Sequence, residues 1–224
     1  AHRAIWARQM MFEGWYRLRS EDRVLHSGAF NWTYTMGTGL MDPWTIGATA
    51  MIPAAGTQSN ALPTLLANSG ATIFAAAPGV YRQLLRDCET LTLPNLRHGL
   101  SAGEKLPSAT RTAWSKATGT SVFEAYGMSE CSTFLSGSPS QPAHGDRLGQ
   151  PQTGRRIAIL GPDGPVSRGN EGTIAVHKSD CGLMMGYLKA PEETAAKMQG
   201  DWFLTGDQGI MHDDGQISYL GRDD

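Results

Sequence analysis

The order of hydrophobic and polar residues predicts an α/β fold in the first 135 positions. Near the amino terminus, apolar residues recur at three- and four-residue spacing, which is the period of an amphipathic helix. From Val24 to Tyr81, the only formally charged residue is Asp42. A stretch of this kind is typical of strands that are buried on both faces of a parallel sheet. Interspersed Gly, Pro, Asn and Thr argue against the roughly 20 consecutive apolar residues of a membrane span.

Strand and helix patterns alternate through this region, which predicts a mostly parallel sheet flanked by helices. A further helix is predicted to begin at Pro107, because proline is tolerated in the first helical turn. The predicted strands are 24–25, 49–52, 72–75, 96–100 and 122–123, and the other predicted helices are 1–18, 36–46, 61–68 and 79–87.

Beyond residue 135 the pattern changes to short strands separated by Gly, Pro and Ser. This texture predicts a small antiparallel, barrel-like β-subdomain. Strands at 156–160 and 172–177 flank the turn sequence GPDGP, in which Pro restricts φ and Gly permits a positive φ. We therefore divide the chain into an α/β subdomain over 1–135 and a β-rich subdomain over 136–224.

The last predicted hairpin brings a carboxylate and a guanidinium together. Strands at 209–212 and 216–220 flank Asp213-Asp214-Gly215. A two-residue turn at Asp214-Gly215 would place Asp207 opposite Arg222, whereas a three-residue loop would shift the register by one. Such a pair can be an ordinary ion pair, or it can hold a diol from two sides.

The stretch VFEAYGMSE, residues 122–130, predicts a strand that runs into a Gly-containing turn. It ends with a hydroxyl beside a carboxylate, at Ser129 and Glu130. The hydroxyl can donate to a phosphate oxygen, and the carboxylate can hold Mg²⁺. A strand end followed by an ordinary polar turn is the alternative interpretation.

Charge and cysteine content narrow the function classes. The net charge is −2, with 19 basic and 21 acidic residues, so there is no electrostatic case for nucleic acid or an anionic membrane. The three cysteines are far apart and show neither a disulfide framework nor metal-ligand spacing, which favours a reducing, cytoplasmic location. The missing initiator Met suggests a fragment or a processed product.

Four ordered motifs resemble those of the adenylate-forming enzymes, the AMP-dependent synthetases and ligases. The motifs are SAGEKLP at 101–107, YGMSE at 126–130, TGD at 205–207 and YLGR at 219–222. The resemblance covers essentially the whole chain. It implies that a carboxylic acid is activated with ATP to an acyl-adenylate, with release of pyrophosphate, and that the acyl group is then transferred to the thiol of coenzyme A.

The resemblance also implies roles for individual residues. Ser129 is implied to contact the nucleotide phosphates, and Glu130 is implied to hold Mg²⁺. The ribose hydroxyls are implied to lie between Asp207 and Arg222. A hinge to the family's carboxy-terminal domain is implied at Asp224. The residues implied to line the nucleotide are Ala102, Gly103, Glu104, Tyr126 and Gly127.

The segment from Phe30 to Trp44 looks most like the acetyl-CoA and medium-chain acyl-CoA synthetase branch. Amino-acid-activating relatives carry an acidic residue here, and Ala29 to Met41 contains none. Acetate-activating relatives carry Trp where this chain has Gly127, so a wider pocket and a medium-chain, branched or aryl acid are expected. The predicted pocket residues are Trp32, Ala125, Gly127 and Met128.

Two parts of the family's machinery are absent from this sequence: the Gly-rich phosphate loop that ends in Lys, and the carboxy-terminal domain with its catalytic Lys. Nucleotidyl transfer depends mainly on positioning and charge stabilisation. We therefore expect negligible adenylation by this chain alone. A non-catalytic nucleotide-binding remnant is an alternative.

A serine hydrolase is the less favoured alternative. Gly99 to Gly103 matches GxSxG, with Ser101 as the nucleophile and with Asp207 and His212 following in triad order. However, a nucleophile elbow passes directly into a helix, whereas a loop up to Pro107 intervenes here. No HGGG-like oxyanion segment is present either.

Among the histidines, we single out His26, which lies beside the predicted acyl pocket.

Overall fold

The computed structural model describes residues 2–54, 56–57, 59–87 and 90–223 of the chain. Seven α-helices are described, together with two π-helical segments at Phe12–Tyr16 and Gly37–Met41 and a 3₁₀ turn at Ser59–Ala61. The α-helices are α1 (Arg3–Ala7), α2 (Thr33–Met36), α3 (Asp42–Thr45), α4 (Leu62–Ser69), α5 (Pro78–Asp87), α6 (Ser108–Thr118) and α7 (Pro191–Ala196).

The described strands form two sheets. They are β1 (Arg23–His26), β2 (Thr49–Met51), β3 (Ile73–Ala76), β4 (His98–Ala102), β5 (Ser121–Met128), β6 (Ser132–Ser136), β7 (Gln150–Pro151), β8 (Ile157–Gly161), β9 (Gly164–Pro165), β10 (Glu171–His177), β11 (Met198–Gln199), β12 (Trp202–Met211) and β13 (Ile217–Arg222).

The first sheet has seven strands in the order β2-β1-β3-β4-β5-β6-β7. The pairs from β2 to β5 are parallel, and β6 and β7 add antiparallel strands at one edge. The second sheet is antiparallel, with the order β11-β12-β10-β8-β9 and with β13 beside β12. The predicted fold class, a mostly parallel sheet with helices and a small antiparallel β-unit, is therefore confirmed.

Apolar residues cover both faces of the first sheet, which explains the long uncharged run in the sequence. On β1, Leu25 packs into the cluster that contains Trp114 of α6, whereas the neighbouring Val24 packs into a second cluster with Met11 and Trp15. Successive side chains of a strand point to opposite faces, so both faces of β1 are buried.

The amino-terminal helix is present with a different backbone from the one predicted. Three residues of the predicted apolar face, Ala7, Met11 and Trp15, are at most 1% exposed, whereas Ala4 is exposed and Leu18 is half-buried. The backbone is not one continuous α-helix, because α1 ends at Ala7 and a π-helical segment follows at Phe12–Tyr16. The periodicity predicted three of the buried side chains, but it predicted neither the exposure of Ala4 nor this break.

The second sheet begins later than the predicted boundary. β7 still pairs with β6 in the first sheet, and the second sheet starts with β8 at Ile157. A third apolar cluster joins the two sheets, with Phe134 and Leu135 of β6 packed together with Ile174 and Phe203. The division at 135/136 stays a prediction.

The last hairpin places Asp207 opposite Arg222, as predicted, although its loop is different. The loop has three residues, 213–215, because the backbone N–H of His212 donates to the carbonyl of Gln216 at 2.8 Å. This loop shifts the register by one residue. A register shift between Gln208 and Gly209 then leaves one extra residue on β13 and restores the predicted pair.

Candidate active site

The hairpin between β5 and β6 carries the hydroxyl and the carboxylate singled out in the sequence. Met128 pairs with Ser132 across it, which leaves Ser129, Glu130 and Cys131 as the loop. Ser132 adopts φ 62°, in the left-handed region that non-glycine residues seldom enter. Its Oγ accepts a hydrogen bond from Nη1 of Arg8 at 2.5 Å. This contact holds the base of the loop.

Arg8 belongs to a buried polar network. Its Nε donates to Oδ1 of Asp42 at 2.7 Å, and its Nη2 donates to Oδ2 at 2.6 Å. The hydroxyl of Tyr16 also donates to Oδ2, at 2.7 Å. Burial disfavours the charged guanidinium, but the contact with Asp42 outweighs this cost and raises the pKa of Arg8. Asp42, the single charge in a long apolar stretch, thus has a bidentate partner.

The first cavity, which we call the Asp207 cavity, lies between the end of β5 and the β12–β13 hairpin and has a volume of about 270 Å³. The hydroxyl of Tyr126 donates to Oδ2 of Asp207. Burial and this hydrogen bond both raise the pKa of Tyr126, so its phenol remains a donor. The lining residues are Gly103, Glu104, Lys105, Glu124, Ala125, Tyr126, Gly127, Leu148, Asp207, Tyr219 and Arg222.

The second cavity, the Trp32 cavity, has a volume of about 190 Å³. The ring of Trp32 lies against Gly103, where a Cβ would come within 2.5 Å of the indole and where φ is +94°. Trp32 also meets Tyr34 edge-on, with ring centroids 5.2 Å apart. The lining residues are Arg8, Trp32, Thr33, Tyr34, Thr38, Ala102, Gly103, Gly127, Met128, Ser129, Ser132 and Thr133.

Gly127 lines both of these cavities, yet its lack of a side chain has another physical cause. A Cβ at this position would come within 2.2 Å of the carbonyl oxygen of Ser132 and 2.4 Å of Cα of Thr133. The direction of the missing side chain is therefore toward β6. The structure does not support the argument that a lost indole at this position opens the cavity.

The third cavity, the Glu130 cavity, has a volume of about 410 Å³ and includes Ser129 and Glu130 in its wall. The hydroxyl of Tyr187 donates to Oε1 of Glu130 at 2.7 Å. This hydrogen bond, with a smaller contribution from burial, raises the pKa of Tyr187 to about 12. The hydroxyl oxygens of Ser129 and Thr33 are 3.4 Å apart.

The residues around Glu130 suit a divalent cation that is shared with a ligand. Within the described part of the chain, Oε2 of Glu130 makes no hydrogen bond, and no cluster of three or more His, Cys, Asp or Glu side chains could form a protein cage for a metal. Mg²⁺ usually binds through one or two carboxylates together with substrate phosphates. One half-buried carboxylate beside an exposed hydroxyl fits that requirement.

The three cavities meet at the carboxyl end of β5, and they bring most of the predicted site residues together. All but one of the residues expected around the nucleotide line the Asp207 cavity, and the exception, Ala102, lines the Trp32 cavity. Of the predicted pocket residues, Trp32, Gly127 and Met128 line the Trp32 cavity, whereas Ala125 lines the Asp207 cavity. Asp224 lies outside the described residues. Arg8 and Tyr187 were missed. The lone Asp42 was a signal that a cation was needed, since buried charges are paired, but no signal pointed to Tyr187.

The serine-hydrolase alternative is not favoured. Ser101 is 0% exposed, and its Oγ has no hydrogen-bond partner in the described chain. His212 instead contacts Oγ of Ser218, at 2.8 Å from its Nε2. Asp207 accepts from Tyr126. A nucleophile and its base must lie within hydrogen-bond reach, and these three side chains are engaged elsewhere or buried.

His26 belongs to the layer behind the Trp32 cavity. It is 1% exposed and packs edge-on against Tyr34, with ring centroids 4.5 Å apart. Its Nδ1 accepts from the backbone N–H of Gly28 at 2.9 Å. Burial lowers the pKa of His26 to about 3, so the ring is neutral at physiological pH. It therefore contributes to packing behind the cavity.

Comparison with known proteins identifies the family. The model of the AMP-binding enzyme family matches residues 1–188. The chain belongs to the AMP-binding enzyme family. The fold and the four motifs agree with this assignment, and the recognition of the adenylate-forming enzymes from sequence is confirmed.

Relatives with similar sequences are named as an acyl-CoA synthetase and a CoA ligase. The chain is 28% identical to the mitochondrial acyl-coenzyme A synthetase ACSM3 of Rattus norvegicus, over 94% of this chain and 37% of the relative. It is 28% identical to the benzoate–CoA ligase of Thauera aromatica, over 92% of this chain and 40% of the relative. The chain thus spans about two fifths of the length of these relatives.

Solved structures of similar proteins share the fold. The anthranilate CoA ligase AuaEII, in complex with anthranoyl-AMP, matches 99% of this chain and 43% of its own, with 26% identity and a TM-score of 0.87. VinN matches 98% of this chain and 55% of its own, with 28% identity and a TM-score of 0.85. Over the residues that the structure describes, no helix is long and apolar enough to cross a bilayer.

Proposed function

We propose that this chain is part of an AMP-forming acid–thiol ligase that activates a carboxylic acid with ATP and transfers the acyl group to coenzyme A. The observation that carries the proposal is the convergence of the four motifs at the end of β5. Asp207 and Arg222 face each other there, and Tyr126 donates to Asp207. These residues come from distant parts of the sequence and from both sheets.

The Asp207 cavity is the proposed nucleotide site. A carboxylate accepts and a guanidinium donates, so Asp207 and Arg222 suit the two hydroxyls of a ribose. Tyr126 takes one oxygen of Asp207 and leaves the other as an acceptor. The backbone of Gly103 and the ring of Tyr126 offer surfaces for adenine. The relative AuaEII was solved with an adenylate, which supports a nucleotide of this kind.

Ser129 and Glu130 form the proposed phosphate and cation site. Ser129 donates its hydroxyl to a phosphate oxygen, and Glu130 offers a carboxylate oxygen to Mg²⁺. Bound Mg²⁺ would supply charge neutralisation to the phosphates. The substrate carboxylate attacks the α-phosphorus as the bond to pyrophosphate breaks. The thiol of coenzyme A then attacks the acyl carbon, and AMP leaves.

The Trp32 cavity is the proposed acyl site, and the proposed substrate is a medium-chain, branched or aryl acid. Its wall contains two aromatic rings, Trp32 and Tyr34, and Met128. The names of the relatives include benzoate–CoA and anthranilate CoA ligases, which supports an aryl acid within this class. No acidic side chain lines this cavity in the described chain, so no carboxylate there would pair with the ammonium group of an amino-acid substrate.

We further propose a cytoplasmic location, because the three cysteines show no disulfide framework. Relatives with mitochondrial names exist, so the compartment must be measured. Fluorescent tagging of the natural-length protein would give it directly.

Formation of acyl-CoA tests the proposed function. The protein at its natural length is incubated with ATP, Mg²⁺, coenzyme A and acids of increasing length and aromaticity, and the products are identified by mass spectrometry. We expect acyl-CoA and AMP in equal amounts with medium-chain or aryl acids. Nucleotide binding without acyl-CoA from any acid would instead support the non-catalytic remnant.

A further inference from the structure

The loop that precedes α7 contacts Glu130 at two points. The backbone N–H of Met184 donates to the carbonyl oxygen of Glu130 at 2.6 Å. The hydroxyl of Tyr187 donates to Oε1 of the same residue at 2.7 Å. Both the backbone and the carboxylate of Glu130 are therefore held by one short segment that is distant in sequence.

Tyr187 is itself held in place. The backbone N–H of Tyr187 donates to Oγ1 of Thr194 at 2.9 Å. The hydroxyl of Thr194 in turn donates to the carbonyl of Ala190 at 2.9 Å. Gly186, which precedes Tyr187, has φ +148°, and a Cβ there would lie 3.2 Å from Oγ1 of Thr194. The backbone N–H of Tyr187 is thus anchored to Thr194 of α7, so the hydroxyl reaches Glu130 from a defined direction.

The hydrogen bond from Tyr187 restricts the orientation of the Glu130 carboxylate. The terminal torsion of a glutamate is broad, so an isolated carboxylate samples many orientations. The phenol binds Oε1, whereas Oε2 makes no hydrogen bond within the described residues. A hydrogen bond to one oxygen of a ligating carboxylate orients the other oxygen toward the metal.

We propose that Tyr187 is a positioning residue that orients the Glu130 carboxylate so that Oε2 binds the divalent cation. This inference rests on the proposed function, in which Glu130 holds that cation. Tyr187 touches neither the nucleotide nor the acid in this assignment, and it acts through Glu130. Loss of such an outer-shell partner typically lowers metal affinity about 10- to 100-fold.

Cation binding is the direct test. The protein at its natural length is titrated with Mn²⁺ in the presence of a non-hydrolysable ATP analogue, and free Mn²⁺ is followed by electron paramagnetic resonance. Tyr187→Phe removes the hydroxyl and keeps the ring. We expect it to raise the Mn²⁺ dissociation constant about tenfold. At saturating Mn²⁺, its affinity for the analogue should return to the wild-type value.

Two further variants make the result decisive. Leu188→Ala alters the neighbouring side chain, which is 91% exposed, and should leave Mn²⁺ affinity unchanged. Glu130→Gln should abolish the Mn²⁺ binding. If Glu130→Gln abolishes it but Tyr187→Phe equals wild type, the Tyr187 inference is overturned and the proposed cation site stands. If neither variant changes it, both are overturned.

Thr194→Val separates positioning from simple attachment of the loop. It removes the backbone anchor of Tyr187 and keeps the phenol. If Tyr187 orients Glu130, this variant should weaken Mn²⁺ binding in the same direction by a smaller factor. A fall in melting temperature for both variants with no change in Mn²⁺ affinity would overturn the inference, because the contact would then serve stability alone.

Discussion

The nucleotide side and the cation side of the candidate site are built differently. On the nucleotide side, Asp207 lies in a strand ladder opposite Arg222 and accepts a hydrogen bond from Tyr126 on β5 of the other sheet. On the cation side, Glu130 sits in a three-residue loop and is held by Tyr187 from another loop. Regular pairing positions the first group, and irregular contacts position the second. The difference predicts that substitutions on the two sides affect separate measurable quantities.

The largest effect is expected from Glu130→Gln, on the cation side. The substitution removes the proposed cation ligand, and loss of one transition-state stabilising group commonly lowers kcat about 10²- to 10³-fold. We expect this loss in the rate of adenylate formation, measured with ATP and the best acid. Glu171→Gln, at the exposed start of β10, is the matched control and should be neutral. An equal loss in both variants would contradict the assignment.

A smaller effect is expected from Asp207→Asn, on the nucleotide side. It weakens charged hydrogen bonds to the ribose, each worth about 1.5–3 kcal/mol, so the KM for ATP should rise about 10- to 100-fold. The Mg²⁺ dependence should stay the same. Asp213→Asn, in the exposed loop of the same hairpin, is the control. If Asp207→Asn shifted the Mg²⁺ dependence instead, the two sides could not be separated.

Acid pH should destabilise the fold, and stability must be kept apart from the site effects. Burial lowers the pKa of His26 to about 3 and that of His98 to about 4, from 6.5. Because the pKa of each histidine is lower in the folded state than in the unfolded state, the folded state has its full stability above pH 6.5. It loses stability as the pH falls below 6.5. Each histidine contributes up to about 1.4 kcal/mol per pH unit.

Urea unfolding between pH 7.5 and 5 measures this loss. His26→Gln keeps a neutral polar side chain that does not titrate. It should therefore reduce the slope of the free energy of unfolding against pH by the contribution of one histidine. An unchanged slope in this variant would show that His26 does not titrate as described. The site variants should be assayed above pH 6.5, where the contribution of these histidines to stability does not change with pH.

The smallest effect is expected from Tyr126→Phe, which sharpens the comparison on the nucleotide side. It removes the donor to Asp207 but neither ribose-binding group, so a loss of about 0.5–1.5 kcal/mol is expected. The KM for ATP should therefore rise about 2- to 10-fold, less than for Asp207→Asn. Measuring both variants and the double variant gives the coupling. An additive double variant would contradict the proposed dependence of Asp207 on Tyr126.

The sequence predicted the nucleotide side better than the cation side, for a physical reason. Strand patterns carry register, so Asp207 and Arg222 could be paired from the sequence. Even so, a three-residue loop and a compensating bulge together produce the pair that a two-residue turn had predicted. The predicted residue pair was therefore correct, although the predicted turn was not.

Contacts between loops carry no periodic signal. Tyr187 lies far from Glu130 in sequence, and its direction depends on Gly186 and Thr194. That Asp42 has a cationic partner was easier to predict from the sequence, because a buried carboxylate in an apolar stretch requires a cation. Which cation it was, Arg8, required the fold. The reason for the glycine at position 127 could not be predicted from the sequence, because it lies in the close approach of the neighbouring strand β6.

Carboxylate-dependent exchange of pyrophosphate into ATP tests the central claim most directly, because it reports acid activation before the thiol step. The protein at its natural length is assayed with Mg²⁺ and acids of increasing length and aromaticity. We predict exchange that requires the acid, peaks with medium-chain or aryl acids and is lost in Glu130→Gln. Exchange with no acid-dependence, or none with any acid, would contradict the claim that this chain forms part of an acid-activating ligase.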